Sequence, residues 1–171
     1  MKTIIYMGIS VNGYIAKENG SSEFTSQEDL QGFYEHSKLA GNIIMGKNTY
    51  IEAYKYGYFP FPEALNIVVS NQDMENKWGN NVLITKESPK NILNTLEAKN
   101  FKIAFLAGGG QLNSSFLKEN LVDEIYLDVE PLVFGKGIKV FADNDFEYNL
   151  ELMEVKNLNK NTVQLHYKVL K

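Results

Sequence analysis

Two periodicities of apolar residues alternate along this chain. Lys2 to Ser10 carries a nearly unbroken apolar run, with Ile4, Ile5, Met7 and Ile9, the pattern of a strand buried on both faces. Similar short runs recur at Asn42 to Gly46, Leu65 to Ser70, Val82 to Thr85, Lys102 to Leu106 and Asp123 to Val129. Between them, apolar residues fall at helical spacing. Leu30, Phe33 and Tyr34 mark a first helix, for which Thr25 as N-cap and Glu28 three residues on have capping-box spacing. Lys47 to Ala53 and Ser88 to Lys99 read as two more helices, with Pro89 suited to a first turn. Leu112, Phe116 and Leu117 mark one face of a fourth. The glycine-punctuated stretch from Ser10 to Ser22 reads as a long loop. Tyr148 to Lys156 and Thr162 to Leu170 read as strands flanking a hairpin turn at 158–161. Strand and helix therefore alternate, with a β-rich last third. The prediction is an α/β fold in one domain spanning 1–171, its sheet largely parallel and closed by an antiparallel hairpin.

The sharpest local feature is the passage from strand to helix through Ala107, Gly108, Gly109, Gly110, Gln111 and Leu112. A strand ending in glycines ahead of a helix leaves backbone N–H groups free at the positive end of the helix dipole. Such a turn suits an anion such as a dinucleotide pyrophosphate. A tight strand-to-helix connection with no ligand has the same appearance. The spacing is not that of the doubly wound dinucleotide fingerprint.

Composition narrows the chemistry. The chain has no cysteine, so it has neither a disulfide framework nor a thiol nucleophile, consistent with a cytoplasmic setting. Two distant histidines, His36 and His166, make a metal site unexpected, and His36 reads as a surface residue. A net charge of −4 without a basic run points away from nucleic acid. No apolar run approaches a membrane span, and Met1 to Ile5 is too short for a signal peptide. All 17 basic residues are lysine. Any phosphate or carboxylate must then be held by lysine, hydroxyl, amide or backbone N–H, without a guanidinium fork.

Four segments together resemble the dihydrofolate reductase-like superfamily, and within it the branch containing the reductase domain of the bifunctional riboflavin-biosynthesis enzyme. Ser10-Val11-Asn12-Gly13-Tyr14-Ile15-Ala16 is similar to that branch's opening loop. Ile43-Ile44-Met45-Gly46-Lys47-Asn48-Thr49-Tyr50 resembles the Met-Gly-Arg-x-Thr-Trp segment of folate reductases. Leu106 to Gln111 is similar to the glycine turn of both. Leu121 to Leu127 and Pro131 to Gly137 resemble the riboflavin branch. The resemblance implies a three-layer αβα sandwich about a mostly parallel eight-stranded sheet, and an NADPH-dependent oxidoreductase that pairs as a homodimer. It also implies a cofactor site: Gly8, Ile15 and Ala16 at the nicotinamide; Gly46, Lys47, Asn48 and Thr49 over the phosphates; Ala107 to Leu112 opposite them; and Ser70 and Asn71 at the adenosine 2′-phosphate. Each has a plainer counterpart: a first-turn lysine, a helix-start threonine, a strand-ending turn, a bulge at Gly8.

On the substrate side, the resemblance implies a catalytic carboxylate at Asp29, although acidic residues suit the first turn of any helix. The implied substrate is a small pteridine- or pyrimidine-like heterocycle, the nearest named activity being reduction of the phosphoribosylamino-pyrimidine of riboflavin synthesis. Folate reduction is an alternative that lacks its arginine clamp here. A non-catalytic nucleotide-binding protein is another, because Ala107 and Tyr14 replace a glutamate and a basic residue of the riboflavin branch. Lys17 or Lys55 would have to grip a ribose phosphate. The aromatic stretch Tyr50, Tyr54, Tyr56, Tyr58, Phe59, Phe61 fits core packing or a dimer contact more readily than a stacking wall.

Overall fold

A computed structural model describes all 171 residues. Its main sheet is built from β1 (Lys2–Ser10), β3 (Asn42–Gly46), β4 (Leu65–Val69), β5 (Val82–Thr85), β6 (Ile103–Leu106), β7 (Glu124–Glu130), β9 (Leu150–Asn157) and β10 (Val163–Val169). Their order is β5-β4-β3-β6-β1-β7-β10-β9. All pairings from β5 to β7 are parallel, and β7 with β10 and β10 with β9 are antiparallel. The eight-stranded, mostly parallel sheet with its closing hairpin is therefore as expected.

Helices α1 (Gln27–Ala40), α2 (Lys47–Lys55), α3 (Pro89–Ala98) and α4 (Gly110–Lys118) cover the sheet. On one face Ile92 and Leu96 of α3 and Leu112, Phe116 and Leu117 of α4 pack on Ile5, Ile44, Ile67 and Leu106. On the other face Tyr6, Met45, Val68 and Phe105 lie beneath Phe33 and Tyr34 of α1 and the Phe59–Phe61 segment. Phe105 and Phe116 are fully buried, each contributing about 1.5–3 kcal/mol.

Three local expectations are corrected. The N-cap of α1 is Ser26, whose Oγ accepts from the Asp29 N–H at 3.3 Å, so the helix starts one residue later than the Thr25 reading. The Ser10–Ser22 stretch contains a strand, β2 (Tyr14–Lys17), which pairs antiparallel with β8 (Gly137–Lys139). The partner lies some 120 residues away along the chain, so no local pattern announces it. His36 is not a free surface residue. Its ring packs 4.9 Å from that of Tyr6 and 4.8 Å from that of Tyr126, and its Nδ1 bonds the Gly32 carbonyl. The aromatic stretch divides: Phe59 and Phe61 are core, whereas Tyr54, Tyr56 and Tyr58 are exposed.

Candidate active site

The four helices begin in two ways. α1 and α3 are capped by Ser26 and Ser88, whose hydroxyls accept from backbone N–H groups of the first turn. α2 and α4 follow Gly46 and Gly109, with no side-chain cap and no acidic residue in the first turn. The two uncapped helices start side by side. The Gly46 N–H donates to the Gly108 carbonyl at 2.8 Å, and a Cβ on Gly46 would stand 3.8 Å from Gly109 N. Two sets of unpartnered N–H groups, each at a positive dipole end, thus face one region.

That region is a cavity of about 840 Å³, within the size range of a cofactor and small-ligand site. Of the residues expected at a cofactor, Gly8, Ile15 and Ala16 line it from β1 and β2. Gly46 at the end of β3 and Lys47, Asn48 and Thr49 of α2 line it next, and Ala107, Gly109, Gly110, Gln111 and Leu112 from α4 and its turn. Ser70 and Asn71 close the end beyond β4. Gly108 sits behind this wall and acts as a brace, its carbonyl holding Gly46. Gly110 is required for packing: a Cβ there would collide with the Lys139 carbonyl and stand 3.3 Å from Ala142 N. Gly110→Ala should therefore destabilise the fold by about 1–3 kcal/mol, read as a lower urea midpoint. An unchanged midpoint would show that the 139–142 segment gives way freely.

Beyond β4, the chain turns tightly at Ser70, whose Oγ donates to the Gln72 carbonyl and accepts the Gln72 N–H at 3.1 Å. Lys47 Nζ donates to Gln72 Oε1 from one side. Lys86 pairs with Asp73 at 2.6 Å from the other. This end of the cavity thus offers two ammonium groups and a hydroxyl. Gln72 and Lys86 carried no signal in the sequence, since they meet Lys47 only through the parallel register of β3, β4 and β5.

At the other end, sheet register assembles a carboxyl cluster. Gly8 of β1, Asp128 of β7 and Gln164 of β10 are direct neighbours across the sheet, so they form one row on one face. Asp29 of α1 lies over the gap left by Gly8, where a Cβ would stand 2.5 Å from its Oδ2. Tyr6 Oη donates to Asp128 Oδ2 at 2.6 Å, and Gln164 Nε2 donates to Asp128 Oδ1 at 2.7 Å. Burial, then hydrogen bonding and charge from Asp128 and the charge of Glu130, push the Asp29 carboxyl up to about 9. Burial also raises Asp128, against the donors it accepts from. Two carboxyls in contact in a water-poor site share a proton. At neutral pH the pair retains this proton, so Asp29 faces the cavity as an acid with the Asp128 carboxyl behind it.

Glu130 is nearly fully buried and fixes the cluster's edge. Its Oε1 accepts the Ser26 N–H at 2.7 Å and its Oε2 the Thr162 hydroxyl at 2.9 Å, so it holds the start of α1. Sequence reasoning found Asp29 but missed Tyr6, Asp128, Glu130 and Gln164. Polar residues at alternate positions of β7 and β10 resemble ordinary solvent-facing ones. Lys17 and Lys55, the lysines that would have to grip a ribose phosphate, are not among the residues lining the cavity.

Residues 1–164 match the RibD C-terminal domain family. Among individual proteins, the chain is 30% identical over 172 residues to Bacillus subtilis YwjB, itself named an uncharacterized protein, with 97% of each chain covered. A pyrimidine reductase-like protein from Corynebacterium diphtheriae superposes with a TM-score of 0.72 at 17% identity, over 99% of this chain and 92% of that one. A Thermotoga maritima diaminohydroxyphosphoribosylaminopyrimidine deaminase/5-amino-6-(5-phosphoribosylamino)uracil reductase superposes with a TM-score of 0.80 at 14% identity. There, 99% of this chain matches 56% of the larger enzyme. With nearly its whole length matched, and with the dihydrofolate reductase-like architecture in place, the chain belongs to the RibD C-terminal domain family.

Proposed function

We propose that this protein is an NADPH-dependent reductase of a small planar pteridine- or pyrimidine-like heterocycle. One observation carries the reading: the only two helices lacking side-chain caps open side by side into the cavity that also holds a buried, protonated Asp29. In this reading the N–H groups at Lys47 to Thr49 and at Gly110 to Leu112 receive the diphosphate. Lys47, Ser70 and Asn71 receive the 2′-phosphate, and backbone at Gly8, Ile15 and Ala16 orients the nicotinamide. The cofactor supplies a hydride, and reduction of a ring double bond needs one proton besides. Asp29 is the acid that delivers it, giving up the proton it shares with Asp128, which Tyr6 and Gln164 hold in place.

The family and the reductase half of the Thermotoga enzyme's name support the riboflavin pathway as the nearest named chemistry. No helix is long and apolar enough to cross a membrane, and a cytoplasmic location fits the reading. A homodimer is part of the same proposal. All eight residues of β9 are exposed at the sheet edge, with Leu150, Leu152, Met153 and Val155 among them, a surface that favours a partner strand.

The test is loss of NADPH absorbance when purified protein meets a panel of oxidised pteridines and aminopyrimidines. Oxidation with at least one acceptor is expected. Tight NADPH binding with no turnover across the panel would instead support the non-catalytic nucleotide-binding reading.

A further inference from the structure

Asp29, Asp128 and Glu130 gather at the first turn of α1, all buried and none of them in an ion pair. The cavity's lysines, Lys47 and Lys86, are engaged at its far end by Gln72 and Asp73. Tyr6 reaches the cluster from β1 and the uncharged Gln164 from β10, both through Asp128. His166 of β10 pairs with Glu124, and His36 Nδ1 bonds the Gly32 carbonyl. On α1 itself, Glu28 is exposed and accepts from Asn159 Nδ2 at 3.0 Å. Glu130 follows Asp128 by two residues on β7, so both side chains leave the same face of the sheet, about 7 Å apart along the strand. Its two oxygens accept the Ser26 N–H at 2.7 Å and the Thr162 hydroxyl at 2.9 Å. Ser26 in turn caps the helix by accepting the Asp29 N–H. One carboxylate thus ties β7, the hairpin turn before β10 and the helix start that bears Asp29. The N-terminus of α1 is a place that suits an anion.

These two hydrogen bonds do not require a charge. A glutamine in the same place offers an oxygen to Ser26 and an amide N–H to Thr162, without the cost of burying an ion. What the charge adds acts at a distance. In a water-poor cluster, a fixed negative charge disfavours the appearance of others beside it. Loss of the last proton from Asp29 and Asp128 would leave three anions together with no cation among them. We propose that Glu130 is a positioning residue for the acid: its hydrogen bonds fix the helix start that carries Asp29, and its buried charge keeps the shared proton on Asp29 and Asp128. Burial is the larger cause of the raised Asp29 and Asp128 carboxyls, and the charge of Glu130 adds to both. As a statement about catalysis, the inference rests on the reading of Asp29 as the proton donor of a reductase.

Carbon-13 NMR of the free protein follows the two carboxyls directly as pH rises. In wild type the last proton is expected to leave near pH 9. In Glu130→Gln the midpoint is expected at least about half a pH unit lower, with the fold retained. Thr162→Val removes one hydrogen bond and keeps the charge, so it should melt at a lower temperature with the midpoint unmoved. The basic limb of turnover should follow the midpoint in each variant. Three results overturn the inference: a midpoint unmoved by Glu130→Gln, an equal fall in Thr162→Val, or failure of Glu130→Gln to fold, which would show that the clamp itself needs the charge. The NMR midpoint requires neither cofactor nor acceptor. If turnover is absent while Glu130→Gln lowers the midpoint, the reductase reading falls and the hold of Glu130 on the shared proton stands.

Discussion

Asp29→Asn is expected to lower kcat by about 10²–10⁴-fold while the fold and NADPH affinity stay intact. The asparagine fits the gap over Gly8 and can donate to Asp128, so the buried row keeps its hydrogen bonds. The deliverable proton is what disappears. pH separates this loss from simple misfolding. In the unfolded chain Asp29 ionises at about 3.8, whereas burial and Asp128 hold its proton to about pH 9 in the native state. Between those values the native state binds more protons than the unfolded one. The stability this site contributes is therefore greatest below the unfolded value and is lost progressively as pH rises toward 9. Wild-type melting temperature should fall across that window, and Asp29→Asn should flatten the fall. Wild-type turnover should hold on the acid side and drop as pH passes about 9. Asp128, Glu130 and Tyr6 face the same carboxyl, so the limb reports the cluster as a whole. A variant with undiminished kcat would remove Asp29 as the proton donor.

Gly109→Asp is expected to weaken NADPH binding by more than about 100-fold while raising or preserving stability. Gly109 is the N-cap of α4 at φ −74°, and a Cβ there meets only Ile15 Cδ1 and Thr49 Oγ1 at 3.6 Å. Aspartate is a favoured N-cap and satisfies the N–H groups now free, worth about 1 kcal/mol to the helix. The same carboxylate occupies the space proposed for the diphosphate and repels it. Gly109→Asn caps similarly without the charge, so it should bind NADPH better than Gly109→Asp. A stabilised variant that still binds NADPH normally would place the phosphates elsewhere.

The sequence was most legible where the signal is local. The continuous apolar runs of β1, β3 and β4, the helical spacing of Leu112, Phe116 and Leu117, and the glycine turn each declare their element within a few residues. Together they also locate the two uncapped helix starts that line the cavity. What remained hidden depends on register between distant strands. Pairing of β2 with β8 joins Lys17 to Gly137, and the carboxyl row needs Gly8, Asp128 and Gln164 to meet across three strands. Thr25 and Ser26 both suit an N-cap, and only the position of Glu130, which holds the Ser26 N–H, favours the second.

The central claim is that two uncapped helix starts and the lysine-flanked turn after β4 form a site for a 2′-phosphorylated dinucleotide. Titration of wild type and Lys47→Ala with NADPH and NADH tests it most directly. The account predicts a Kd for NADPH on the order of micromolar, NADH weaker by at least about tenfold, and most of that difference lost in Lys47→Ala. Equal affinity for the two dinucleotides, or binding of neither, would contradict it.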